Sequence, residues 1–220
     1  MTVKSNGHEH EFEPAFGLPE PLPKGEHILW QGAPDFTDMA IRVFHLRKAA
    51  IYFAVLIASR AAFLAYSGQE LPALAYSLML PLLLSVVALG ALATLAWLTA
   101  RTTAYTLTDQ RVVMRIGIVL TLTFNLPLKR IETAGLRLSK SGFGDIPLAL
   151  NGGDRIGWLN LWPHARPWCL TKPEPMLRCI PDAQAFATQL QQAWATATGK
   201  ATSTTPSPAS SQPHWQAKLT

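Results

Sequence analysis

The side chains best equipped for chemistry in this sequence are its six histidines and two cysteines. Their spacing decides whether they do any. "HEHEFE", from His8 to Glu13, alternates imidazoles with carboxylates and could hold a metal loosely. A polar chain terminus fixes no ligand geometry, so the run reads better as a solvated arm. His45 lies just before an apolar stretch and His164 in a proline-rich one. Either could be an axial ligand to a tetrapyrrole, but a lone histidine more often makes a polar contact in a loop. Cys169 and Cys179 match no metal or redox spacing and read as structural thiols. There is no P-loop, no G-x-S-x-G elbow, no H-E-x-x-H and no dinucleotide fingerprint. "GFGD" at Gly142 to Asp145 reads as a hairpin turn. The expectation is therefore no catalytic residue, no metal site and no cofactor.

Recognition is the chemistry left over. Trp158, Trp162 and Trp168 cluster with Arg155 and Arg166, with His164 between them. Tryptophan and arginine are the residues that most often anchor protein interfaces. Trp158, Trp162, His164, Arg166 and Trp168 are thus candidate partner-binding residues, with core packing the competing role, above all for Trp158.

These residues need a scaffold, and most of it is greasy. Only 15% of the chain is charged, against the quarter usual in soluble proteins. From Leu71 to Ala100 no residue is charged, which is more than the roughly 20 residues needed to cross a bilayer. Pro81 is expected to kink that helix, and Trp97 to mark an interface. A second span, Ala49 to Ser67, is interrupted by Arg60. One arginine costs about 2.5–3.5 kcal/mol on insertion scales, which the neighbouring Ile, Phe, Val and Leu side chains offset. Arg60 either snorkels to the headgroups or faces a partner helix, and it joins the candidate partner-binding residues on the second reading. Only "GQE" separates the spans, so a tight hairpin is expected. Arg42, Arg47 and Lys48 flank one end and Arg101, Arg111 and Arg115 the other, with Glu70 alone in the turn. The positive-inside rule then places both termini in the cytoplasm.

After Arg101 the pattern changes to period two. "TAYTLT", "VLTLTFN", "GLRLS", "DIPLAL" and "RIGWLNLW" alternate between breakers, as short antiparallel strands do. Pro147 suggests an edge strand or a bulge. Phe186, Leu190 and Trp194 then recur every four residues on an amphipathic helix, with Asp182 as N-cap and Gly199 as its end. The organisation expected is an acidic, proline-rich leader (1–41), a transmembrane hairpin (42–100), a cytoplasmic β-domain (101–198) and a disordered tail (199–220).

Charge is divided between these parts. The leader carries seven acids against Lys4 and Lys24, while residues 101–220 carry thirteen Lys/Arg against six acids, a net of +7. A basic domain beside a membrane favours anionic lipid. The bases are dispersed and no nucleic-acid motif is present, so nucleic acid is not an expected partner. The leader "GLPEPLPKGEHILWQGAPD" is too aromatic for a plain linker. Ile28, Leu29 and Trp30 are expected to dock it on the basic domain, with prolines 19, 21 and 23 keeping it extended.

Several segments together resemble the PuhB family, photosynthetic reaction-centre assembly proteins of purple bacteria. They include "FGLPEPLPKGEHILWQGAPD", "WLTARTTAYTLTDQRVVMRIG", "NLPLKRIE", "GDIPLALNGGDRIGWLNLWPHARPW" and "PEPMLRCIPD". "YTLTDQRVVMRIG" followed by "LPLKRIE" is also similar to bacterial pleckstrin-homology (PH)-like domains. The resemblance implies a membrane α+β protein: a two-helix transmembrane hairpin, then a PH-like antiparallel β-sandwich or barrel capped by a C-terminal helix. It implies an assembly factor without catalytic residues. Its partners would be unassembled reaction-centre subunits, light-harvesting 1 polypeptides and membrane lipid, in the photosynthetic inner membrane, with homodimerisation. The competing function is a membrane-anchored PH-like module that binds lipid or peptide.

Overall fold

The computed structural model describes residues 17–18, 21–118, 120–139, 142–152 and 156–199. The His8–Glu13 run, Pro19, Arg155 and the tail from residue 200 onward lie outside them. The leader supplies strand β1 (Ile28–Gly32) and a one-turn helix, α1 (Phe36–Asp38), that runs on into a π-helical turn over Met39–Val43. Helix α2 (Leu46–Tyr66) and helix α3 (Leu71–Thr102) then form an antiparallel hairpin. Both are long and apolar enough to be membrane spans. Their surface suits lipid, since Val55, Phe63, Leu83 and Val86 are all exposed. Arg60 is on that exposed surface too. Pro81 lies inside α3, and Ser85 Oγ donates to the Pro81 carbonyl at 2.7 Å.

Strand β2 (Ala104–Thr108) leaves α3 directly. It sits between β1 and β3 (Arg111–Ile116), and β4 (Leu122–Pro127) closes the order β1-β2-β3-β4, all antiparallel. A second sheet is centred on β7 (Gly144–Leu150). Strands β5 (Ile131–Ala134) and β6 (Arg137–Leu138) pair with successive parts of it, and β8 (Met176–Ile180) pairs with it too. Gly144 is the register partner of both Leu138 and Ile180, so β6 and β8 flank it. Between β7 and β8 the chain makes a short helix, α4 (Trp158–Leu161), and the final helix is α5 (Ala183–Thr198). Both sheets are open, so the fold is PH-like but not a closed barrel.

The core lies between the sheets and α5. Tyr105, Leu107, Val112 and Met114 face Leu148, Leu177 and Ile180, with Phe186 and Leu190 of α5 against them. A side chain at Gly144 would meet the Ala183 Cβ at 2.5 Å, so that glycine lets α5 begin against the sheet. The Trp194 indole N–H donates to the Ile131 carbonyl at 3.0 Å and fixes the far end of the helix. Gly199 ends α5 at φ +66. Asp182 occupies the N-cap position at φ +50, but its side chain makes no capping bond.

Three local expectations change. "RIGWLNLW" contains the helical turn α4 in place of a strand, because Trp158 and Leu161, three apart, turn to the same small cluster with Ile116 and Ala165. "MLRCI" is a strand, fully buried and therefore without alternation. Pro147 sits in the central strand rather than at an edge, just after the register irregularity between Gly144 and Ile146. Leu148 N–H donates towards β8, to the Pro175 carbonyl (2.8 Å), and Gly135 N–H donates to the Pro147 carbonyl (3.1 Å). The missing Pro147 donor thus faces the gap between β5 and β6, where no ladder bond is lost.

Candidate functional site

The sequence-predicted residues do not form one surface. His164 is fully buried, so it is not a contact residue for a partner. Arg166 Nη1 pairs with Glu174 Oε2 at 2.6 Å. Trp158 is half-buried against Leu161 and Ala165. Trp162 is exposed, with its ring edge-on to Phe44 at 5.8 Å. Trp168 is 96% exposed at φ +66. Arg60 lies apart from all of these, in the middle of α2.

His164 organises a buried polar seam between the hairpin and the sheets. Its Nδ1 lies 2.7 Å from the Tyr105 hydroxyl and its Nε2 3.2 Å from Thr103 Oγ1. The Arg178 backbone N–H donates to the same Tyr105 oxygen at 3.1 Å. Tyr105 therefore accepts from Arg178 and has its own proton free for His164 Nδ1. Nε2 then carries the imidazole proton and donates to Thr103, the residue that follows α3. A second proton on His164 would face the Tyr105 hydroxyl hydrogen. Burial is the largest cause that holds the His164 pKa down to about 3, and the Arg178 charge adds to it. Burial likewise pushes the Tyr105 hydroxyl far above its ordinary range. Arg178 is itself buried: Nη2 donates to the Ala165 carbonyl at 3.2 Å, Nε has no partner among the described residues, and burial lowers its pKa.

A second polar group ties the leader to the same place. Cys179, at φ +52 beside the irregular register of β7 and β8, has its backbone groups turned out of the ladder. Asp145 Oδ1 accepts from Cys179 N–H at 3.0 Å, and Asp35 N–H donates to the Cys179 carbonyl at 2.9 Å. The other Asp145 oxygen accepts from Arg42 Nη2 at 2.8 Å, and Arg42 Nη1 reaches Asp38 at 2.6 Å. Burial opposes the Arg42 charge, but the two carboxylates outweigh it and the pKa is raised. Met39, Ala40 and Ala96 pack with Cys179 beneath this group, where burial drives the thiol pKa up and leaves the sulfur inert.

The leader docks by chemistry that its composition only hinted at. Glu26 is buried; its two oxygens accept from Arg111 Nε at 2.9 Å and Nη2 at 3.0 Å, and Thr108 Oγ1 donates to it at 2.7 Å. Of the three apolar docking candidates only Trp30 enters the core, with its ring centroid 4.4 Å from that of Phe186. Ile28 and Leu29 stay exposed, because β1 is an edge strand whose register slips between Ile28 and Trp30. The leader is not extended throughout. Glu26 N–H donates to the Pro23 carbonyl, and Gly25 turns at φ +89. Thr103, Tyr105, Asp145, Arg178 and Glu26 were not legible as site residues, since most of their partners lie far off along the chain, as much as 103 positions away for Asp145 and Arg42.

The buried imidazole predicts a pH response. The unfolded chain binds a proton at His164 below about pH 6.5, whereas the folded one refuses it until about pH 3. Stability is therefore unaffected above pH 6.5 and falls by about 1.4 kcal/mol per pH unit below it. Thermal midpoints of the full-length protein in detergent should drop between pH 7.5 and 5.5, and His164→Gln should flatten the drop. An equal slope in the variant would exclude His164 as its source.

Residues 48–194 match the family described as Bacterial PH domain. That span takes in nearly all of the hairpin and omits β1. The chain is 40% identical over 187 residues to an uncharacterized 23.7 kDa protein in the puhA 5′ region of Rhodobacter capsulatus. The alignment covers 84% of this chain and 87% of that protein. No solved structure matches.

Proposed function

Because this chain belongs to the bacterial PH domain family and carries the motifs of its PuhB-like members, we propose that it is a membrane assembly factor without catalytic activity. It binds unassembled photosynthetic reaction-centre subunits, and polypeptides of the core light-harvesting ring, before they join. The hairpin spans the photosynthetic inner membrane with both termini in the cytoplasm, an orientation that the flanking Arg42, Arg47, Lys48 and Arg101 support. The relative's place in the puhA 5′ region fits the PuhB resemblance and supports the photosynthetic context.

The observation that carries this reading is the seam. Its titratable groups are engaged with one another in joining a lipid-facing hairpin to a PH-like domain, through Thr103–His164, Phe44–Trp162 and Arg42–Asp145. Such an arrangement holds a binding platform at a fixed height over the membrane, which an escort for membrane subunits needs and a soluble enzyme does not. A deletion strain should contain fewer reaction centres, while those that form keep normal absorption spectra. The tagged protein should recover reaction-centre subunits from membranes during pigment induction. Undiminished reaction centres in the deletion strain, or accumulated pigment precursors, would overturn the proposal.

A further inference from the structure

With His164 and Arg166 satisfied internally, the stretch from Trp158 to Leu170 still exposes four large apolar side chains. Leu159 is 80% exposed, Trp162 47%, Trp168 96% and Leu170 64%. Single exposed leucines are ordinary, but two indoles and two leucines in so short a stretch form a patch that needs an occupant.

The seam fixes where this patch lies. Trp162 touches Phe44, two residues before α2 begins, and His164 bonds Thr103, the residue after α3 ends. The loop is thus bolted to both helix ends on one side of the hairpin. Those ends bear headgroup-level residues: Arg47 and Lys48 in the first turn of α2, and Trp97 near the end of α3 with the Arg101 guanidinium 5.3 Å from its ring centroid. The apolar loop is therefore held beside the end of the hairpin that carries these residues. Its one arginine within the patch is neutralised by Glu174, which leaves mainly indole and leucine to present. Indoles with an apolar body and a polar N–H suit the boundary between headgroups and acyl chains.

We propose that the Trp158–Leu170 loop is a second membrane contact, seated in the interfacial layer beside the hairpin, with lipid as its occupant. This inference rests on the hairpin spanning the bilayer, and the test separates the two. Full-length protein carrying Cys169→Ser is reconstituted in phosphatidylcholine–phosphatidylglycerol vesicles, and an environment-sensitive fluorophore is attached at Leu170→Cys. Matching probes at Val86→Cys and Lys24→Cys report the span and open water, while the buried Cys179 stays unlabelled. The Leu170 probe should be blue-shifted, quenched by a nitroxide placed shallow in the lipid, and several-fold less sensitive to aqueous iodide than the Lys24 probe. Trp162→Ala with Trp168→Ala should reduce that protection while the Val86 probe stays lipid-quenched. A Leu170 probe that behaves like the Lys24 probe while the Val86 probe is lipid-quenched would sink the loop contact alone. If the Val86 probe is also unquenched, the membrane hairpin fails with it. Protection in native membranes but not in pure lipid would make the occupant a protein and refute the proposal.

Discussion

Replacing Tyr105 with Phe should lower the thermal midpoint of the full-length protein by on the order of 10 °C, although it removes one oxygen atom. The site is fully buried, and that oxygen serves two groups: it accepts from the Arg178 backbone N–H and donates to His164 Nδ1. Without it both remain buried without a partner. Each such group costs about 1–3 kcal/mol, so the pair costs about 2–6 kcal/mol. Tyr105→Phe combined with His164→Phe should cost less than the sum of the single changes, because the second removes one of the orphaned groups. Additive losses, or a midpoint within a degree or two of wild type, would show that the hydroxyl does not bridge the two.

Trp30→Ala is expected to release the leader from the sheet. Large-to-small changes at buried tryptophans cost about 3–5 kcal/mol, and the half-buried Trp30 should lose about 2–4 kcal/mol. Its ring stands edge-on against Phe186 and close over Gly32, where an added Cβ would lie 2.5 Å from the indole. Limited proteolysis should cut the variant early within residues 24–35, with the segment from α3 to α5 surviving longer. Leu29→Ser makes the comparison, since Leu29 is exposed and its loss should change stability by no more than about 0.5 kcal/mol. Equal cleavage of the two variants would mean that Trp30 does not hold β1.

What could be read in advance follows the range of the forces involved. A span needs only an unbroken apolar run, so both helices were legible within a few residues of their ends, and α3 simply continues to Thr102. Strand β2 alternates threonines with Tyr105 and Leu107, although all five of its residues are buried. Strand β8 is buried along its length too, but its residue types show no such alternation. Trp30 could be singled out because a tryptophan amid prolines and acids has few reasons to be there. Its neighbour Glu26 could not, since a buried carboxylate looks in sequence like any surface acid until Arg111 is placed beside it. The tryptophan cluster was legible only as composition, for a related reason. The residues present could be counted, whereas only the fold shows that His164 turns inward and Trp168 outward.

Strand β1 precedes the hairpin and strand β2 follows it, yet Gln31 pairs with Thr106 across 75 positions. Hydrogen-bonded strands must share a compartment, so with the hairpin crossing the bilayer as proposed, this sheet is completed only when both helices have threaded it and brought the chain back. On that proposal the early strand waits unpaired, on the side where it was made, until the second crossing is finished. A chain stalled after one crossing would leave β1 and β2 on opposite sides, with Glu26 and Arg111 unable to meet. Native pairing of the first sheet is thereby a receipt for correct insertion.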